Sequence, residues 1–387
     1  MPQKHDAIRH VRDLRLSLAQ GRAPLGLLLS AGCAVAVKDG GKPLIPDIAG
    51  ITAKLEETIS TGAAKGAFAK LTECLGEDGV TDANVEKWLS HVRALRDVAG
   101  SGQVRGLSSA ELGELEKAIT DGIVELADKS LPNSSTPFHN VAAWAGAMER
   151  DAPVEIFTTN YDLLLEQAFE SHRSAYFDGF VGAREPFFDN ASVSYADESP
   201  LPSRFTRLWK IHGSVNWYEA EEGKVTRSQR TLGTRRLIHP SHLKYDESRQ
   251  MPFLALLDRL RAFLGQRGAR LVTCGYSFRD NHINATLREG LQANPTSSLI
   301  GLLYGELDGY RAASKLAGEQ ANVAVYASNA AVIGTERATW ACDDTASSDN
   351  DQGVKKGTGG DCEVVLGDFV EFGALLTSLL NRPASGA

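Results

Sequence analysis

The stretch Leu25-Gly26-Leu27-Leu28-Leu29-Ser30-Ala31-Gly32-Cys33-Ala34 is almost wholly apolar for five residues and then turns at once to small ones. A short apolar run that passes straight into small residues reads as a strand buried on both faces, entering a tight loop. Strands of that kind belong to parallel sheets, where each connection needs a crossover and strand therefore alternates with helix. The alternation continues along the chain. A strand at 154–158 precedes a helical stretch at 162–169, and a helix at about 252–264 leads into a strand at 270–274, a turn at 275–281 and a helix at about 282–292. Strands at 298–303 and 323–326 flank a helix near 309–319. The expected fold class is α/β, a Rossmann-like parallel sheet covered by helices on both faces.

Other segments depart from this rhythm. A short N-terminal helix carries Ile8, Val11, Leu14 and Leu18 on one face, and residues 50–150 are dominated by helix formers, as in Ser109-Ala110-Glu111-Leu112-Gly113-Glu114-Leu115-Glu116. The latter reads as a helical insertion or lid. Residues 176–245 mix aromatics, Gly, Ser and Arg with little helical period, so short strands and loops are expected there. Residues 342–362 hold almost nothing apolar and read as a disordered loop, after which 363–369 and a last helix to about 380 complete the core. One domain over 1–387 is expected, its core at 1–50 and 150–387 and its helical insertion at 50–150.

A chain of 387 residues can bury a sizeable core without staples. Its net charge of −8 disfavours a non-specific grip on nucleic acid, whose phosphates demand clustered Lys and Arg. The five cysteines, Cys33, Cys74, Cys274, Cys342 and Cys362, show no Cys-x-x-Cys pair and read as reduced thiols in a cytoplasmic protein. No apolar run approaches the roughly 20 residues of a membrane helix. Residues 27–33 superficially resemble the end of a lipoprotein signal, but Asp6 and Asp13 interrupt what would have to be a positive leader.

Four segments carry polar chemistry at predicted strand ends. Ser30-Ala31-Gly32 offers backbone amides that a pyrophosphate can approach closely, although small residues serve packing equally well. In Thr158-Thr159-Asn160-Tyr161-Asp162 an amide beside a carboxylate suits a glycosidic centre; the structural alternative is a turn at Asn160 and a helix cap at Asp162. His212, in Lys210-Ile211-His212-Gly213-Ser214, has a side chain whose ordinary pKa near 6.5 suits proton transfer, yet a lone His is more often structural. In Cys274-Gly275-Tyr276-Ser277-Phe278-Arg279-Asp280-Asn281, Gly275 and Ser277 suit phosphate or ribose contact, and Asp280 suits a helix cap.

In this order the four segments resemble the sirtuin-like NAD-binding domain, and in particular bacterial sirtuin-like proteins that consume NAD+ in anti-phage defence. Asn160-Tyr161-Asp162 is similar to that family's Asn-x-Asp motif, His212-Gly213 to its His-Gly motif and Gly275-Tyr276-Ser277 to its Gly-x-Ser motif; Leu366-Gly367-Asp368-Phe369 extends the match. The resemblance implies that Asn160 positions the ribose and the attacking water, His212 accepts a proton, and Asp162 holds the nicotinamide carboxamide. Gly32, Gly275 and Ser277 line the diphosphate and adenosine side, with Ala31, Asp47 and Thr159 among the NAD+ contacts. Two departures stand out. Ser30 replaces the family's first Gly and Ala34 its Ser, and no cysteine spacing matches the four-cysteine zinc module of sirtuin deacylases, so no metal is expected.

The resemblance therefore implies an NAD+ glycohydrolase with NAD+ as substrate, working as a homo-oligomer and with a separately encoded HerA-type ATPase. The alternatives are a non-catalytic NAD+ or ADP-ribose sensor and an NAD-dependent protein deacylase.

Overall fold

The structure is a computed structural model that describes residues 4–19, 21–80, 83–194, 201–202, 204–221, 224–228, 234–237, 252–342, 352–357 and 361–380. Its main sheet contains, in chain order, β1 (Lys4–Asp6), β2 (Leu25–Leu29), β3 (Glu155–Thr158), β4 (Tyr176–Phe177), β5 (Thr206–Lys210), β6 (Arg270–Cys274), β7 (Ser298–Leu302), β8 (Val323–Tyr326), β9 (Ala330–Ile333) and β10 (Glu336–Ala341). They lie in the order β1-β10-β9-β8-β7-β6-β2-β3-β5-β4. From β8 across to β4 every neighbouring pair is parallel. The α/β fold expected from the alternation is the one observed.

Period-2 alternation along the strands divides the core between the two faces. Leu25, Leu27 and Leu29 of β2 face a layer formed by α1 (Ala7–Leu18), α2 (Ala31–Ala36), α7 (Pro137–Ala147), α8 (Leu164–Ser171) and α12 (Phe369–Leu380). Leu28 faces the opposite layer, formed by α9 (Phe253–Gly265), α10 (Asn281–Ala293) and α11 (Arg311–Glu319). With apolar neighbours above and below, all five β2 residues are buried, which is why the strand reads as an unbroken apolar run. A buried carboxylate links this second layer to the sheet. Glu155 of β3 accepts hydrogen bonds from Arg259 Nε of α9 (2.8 Å) and from Trp209 Nε1 of β5 (2.7 Å).

The insertion is helical, although within the span 50–150 expected for it α7 packs on the main sheet core instead. Its helices α3 (Ile48–Thr61), α4 (Lys65–Glu77), α5 (Val85–Ala99) and α6 (Ser109–Ala127) enclose an apolar cluster of their own, centred on Leu55, Leu71, Leu89 and Leu115. Between 176 and 245 the described residues form short strands, as expected, and those at Phe180, Trp217 and Val225 pack onto the α9 side of the core.

Two expectations are corrected. Val354–Lys356, inside the segment read as a loop, forms a strand paired with Cys362–Val364 at the segment's end, because Val354, Cys362 and Val364 bury against the α1 layer. Residues 343–351 and 358–360 of that segment lie outside the described residues. Cys342 and Cys362, read as reduced thiols, are joined in a disulfide, their Cα atoms 6.0 Å apart. Cys33, Cys74 and Cys274 are free and buried.

Candidate functional site

Strand register brings the four polar segments together. Cys274, Leu29, Thr158 and Lys210 form one row across β6, β2, β3 and β5. One residue beyond that row come Gly275 and Ser30; two residues beyond it come Asn160 and His212. The chain leaves β2 toward β3 but leaves β6 toward β7, so the carboxyl ends of β2 and β6 form a topological switch point, where open α/β sheets bind ligands.

At that switch point the two loops interlock. The Ser30 amide donates to the Cys274 carbonyl (3.2 Å) and the Gly32 amide to the Gly275 carbonyl (3.0 Å). A β-carbon on Gly32 would sit 2.8 Å from Gly275 Cα, and one on Gly275, whose φ is +68°, would sit 2.5 Å from the Cys33 nitrogen. Glycine at both positions is thus a condition for the loops to pack. Ala31 and Gly32 remain exposed at the start of α2, and Ser277 is exposed beyond Gly275. Ser30 Oγ is buried and makes no hydrogen bond within the described chain. Burial raises the Cys33 thiol well above its usual range, so it stays protonated. Asp47 uses Oδ1 to cap α3 through the Gly50 amide (2.8 Å) and is exposed.

The connection from β3 to α8 carries Thr159, Asn160 and Asp162. The Asn160 amide donates to Thr158 Oγ1 (3.0 Å), and its side-chain Nδ2 lies 3.4 Å from the Ser30 carbonyl, which links this segment to the first loop. Thr159 beside it is half-buried. Asp162 is buried and accepts from the Leu164 amide (3.0 Å) at the start of α8. Removal from water pushes its carboxyl up to about 6, with Lys210 pulling the other way. The Lys210 ammonium, itself buried, donates to the Asp162 carbonyl and to Glu166 Oε1, the latter at 2.8 Å.

His212 sits in a turn braced on both sides by this same connection. The Ile211 amide donates to the Thr158 carbonyl and the Val215 amide to the Tyr161 carbonyl, both at 2.9 Å. Gly213 between them has φ +83°, a left-handed conformation that a β-carbon disfavours. The imidazole Nε2 lies 3.4 Å from Asp280 Oδ2. Sequence reading assigned Asp280 a helix cap, which it provides, and missed the contact with His212. Nothing local announces it, because the two residues come from strands that are not neighbours.

The insertion reaches this edge as well. Val124 and Ala127 of α6 pack with Val215, just beyond the His212 turn, and against Tyr161 and Leu163 beside Asn160. Tyr161 also packs on the α3–α6 cluster. Burial, with Glu86 adding to it, raises its hydroxyl above the ordinary tyrosine range.

Comparison with curated proteins gives no match. A solved structure from work on the mechanism and regulation of Sir2 enzymes aligns with 77% of this chain and 86% of that one, at 12% sequence identity and a TM-score of 0.36. Residues 154–323, less than half of the chain but the part that carries β3, β5, β6 and β7 with Asn160, His212 and the Gly275 loop, match the SIR2-like domain family.

Proposed function

We propose that this protein hydrolyses NAD+ to nicotinamide and ADP-ribose and acts as the NAD-depleting effector of a bacterial anti-phage defence system. One observation carries the reading: Asn160 and His212 stand at the same level on adjacent strand ends, beside two interlocked small-residue loops, within the segment that matches the SIR2-like domain. The buried Ser30 hydroxyl, without a partner among the described residues, adds a polar group suited to a ligand at the same edge.

In this reading the bond between ribose C1′ and the nicotinamide nitrogen breaks with its electron pair going to nicotinamide, which leaves as a neutral molecule. A water held by Asn160 forms the new bond to C1′, and His212 takes its proton. The transition state resembles an oxocarbenium ion, so positioning one water and excluding others supplies much of the rate. Asp162 holds the carboxamide of the leaving group; Thr159, Ala31, Gly32, Gly275, Ser277 and Asp47 contact the rest of NAD+. No metal ion is called for. The motif resemblance extends the proposal to a homo-oligomer with a HerA-type ATPase partner.

The test is nicotinamide release from NAD+ by the purified protein, alone and with proteins encoded beside it. Asn160→Ala and His212→Ala are each expected to lower it by about 100-fold or more. If no condition elicits release that Asn160→Ala abolishes, the reading is wrong; tight NAD+ binding without turnover would identify a sensor instead.

A further inference from the structure

The two carboxylate oxygens of Asp280 have different partners. Oδ1 accepts the amides of His282 (3.0 Å) and Ile283 (3.3 Å), capping α10. Capping needs a single oxygen, and Asn or Ser supplies one as well as Asp does. The other oxygen, Oδ2, faces His212 Nε2 at 3.4 Å, with the two side chains 9% and 12% exposed. At that distance and burial the charge bears directly on the imidazole.

The loop that delivers Asp280 is held firmly. The Tyr276 hydroxyl donates to Asn284 Oδ1 (2.7 Å) and lies 3.2 Å from the Asp280 carbonyl, while Asn284 Nδ2 donates to the Phe278 carbonyl (2.7 Å). Phe278, buried, adopts φ +58°, which a side chain of its size rarely does. Strain of this sort persists where the surroundings over-determine it, and here it lies in the loop between β6 and Asp280.

We propose that Asp280 is a positioning residue for His212. It holds the imidazole through Nε2–H, so that the neutral ring carries its lone pair on Nδ1, and it stabilises the imidazolium that forms when Nδ1 takes the proton of the attacking water. Asp280 acts through His212 and not on the substrate. Among the described residues, charged groups on the elements flanking His212 include Lys210, two residues earlier on β5 and paired with Glu166, Asp162 on the β3–α8 connection, and Arg236, next to Leu237, which pairs with Gly213. Arg279, next to Asp280 in sequence, is exposed. The inference rests on the hydrolase reading for its catalytic consequence, whereas the pairing can be measured without turnover.

Two variants separate charge from reach. Asp280→Asn keeps the cap and a hydrogen-bonding oxygen but loses the charge; Asp280→Ser keeps the cap but is too short to reach His212. In protein labelled with 15N-histidine, and with His212→Gln to assign the resonance, the parent should show the Nε2–H tautomer. The titration midpoint of His212 should fall by about one pH unit in both variants. The acid limb of the kcat–pH profile should move with it, and kcat should drop at least about tenfold in Asp280→Ser with KM nearly unchanged. An Nδ1–H tautomer in the parent, or a parental His212 titration in folded Asp280→Ser, overturns the proposal. If the parent turns over no NAD+, the hydrolase reading fails while the tautomer and titration still decide the pairing.

Discussion

Lys210 is a buried ammonium one row below the site, and its contacts show how the site's chemistry is held in place at a cost to stability. It donates to the Asp162 carbonyl and to Glu166, and its charge opposes the desolvation that lifts the Asp162 carboxyl to about 6. An unfolded Asp titrates near 4. Between pH 4 and 6 the folded chain therefore binds more protons at Asp162 than the unfolded chain, and this residue's contribution to stability declines as pH rises through that window. A displacement of this size corresponds to about 3 kcal/mol. Asp162→Asn retains an oxygen for the Leu164 amide and removes the charge, so it should exceed the parent in stability at pH 7 by up to about 3 kcal/mol. That advantage should vanish near pH 4, as followed by urea unfolding across the range. A parent and variant with parallel pH profiles would show that Asp162 is not the group responsible. Residue types flagged Asn160, His212 and Asp162 as candidates, since amide, imidazole and carboxylate each suit a step of glycosidic cleavage. Type alone left the structural alternative standing for each, and Asp162 in fact also accepts the Leu164 amide at the start of α8.

Elements were legible where their burial is uniform. β2, β6 and β8 coincide with the strands read at 25–29, 270–274 and 323–326; a strand covered on both faces favours apolar residues along its length, as in β2, and in β6 only the first residue, Arg270, is exposed. The hairpin of β9 and β10, and the parallel pairing of β1 with β10, were not foreseen. In β10 exposed and buried residues intermingle, and the partner of β1 lies at the far end of the chain, so local pattern carries little of either. The disulfide was hidden for another reason, since spacing does not determine which cysteines meet. Cys342 follows β10 directly, and Cys362 opens the strand that leads to Gly367, where a β-carbon would sit 1.9 Å from the Leu303 carbonyl. The bond thus ties the end of β10 to a segment that packs across the end of β7. For a 20-residue separation the loop-closure contribution is about 3 kcal/mol. Peptide mapping without reductant should recover Cys342 linked to Cys362, and the paired change Cys342→Ser with Cys362→Ser should lower unfolding stability by about that amount. An unchanged urea midpoint after reduction would show that the link contributes nothing.

For the molecule as a whole, the arrangement that matters is an additional apolar core attached beside the site. Helices α3–α6 bury Leu55, Leu71, Leu89 and Leu115 among themselves, and Gly122 of α6 lets Leu55 of α3 pack closely, since a β-carbon there would lie 2.1 Å from Leu55 Cδ2. Such a unit has the means to move as a body. Its junction with the sheet includes Val124 and Ala127, packed on Val215 and on Tyr161 and Leu163. Those three partners belong to the segments that carry His212 and Asn160, so displacement of α6 bears on both at once. Val124→Ala removes apolar contact at this junction and should cost about 1–2 kcal/mol. Hydrogen–deuterium exchange should then rise in α6 and, with it, in 159–164 and 211–217, while α9, α10 and α11 on the opposite face of the sheet keep parental protection. Such a pattern is the one expected if a signal received by the insertion reaches the site through packing. If exchange rises in α6 while 159–164 and 211–217 stay protected, the insertion and the site are uncoupled, and control must enter by another surface.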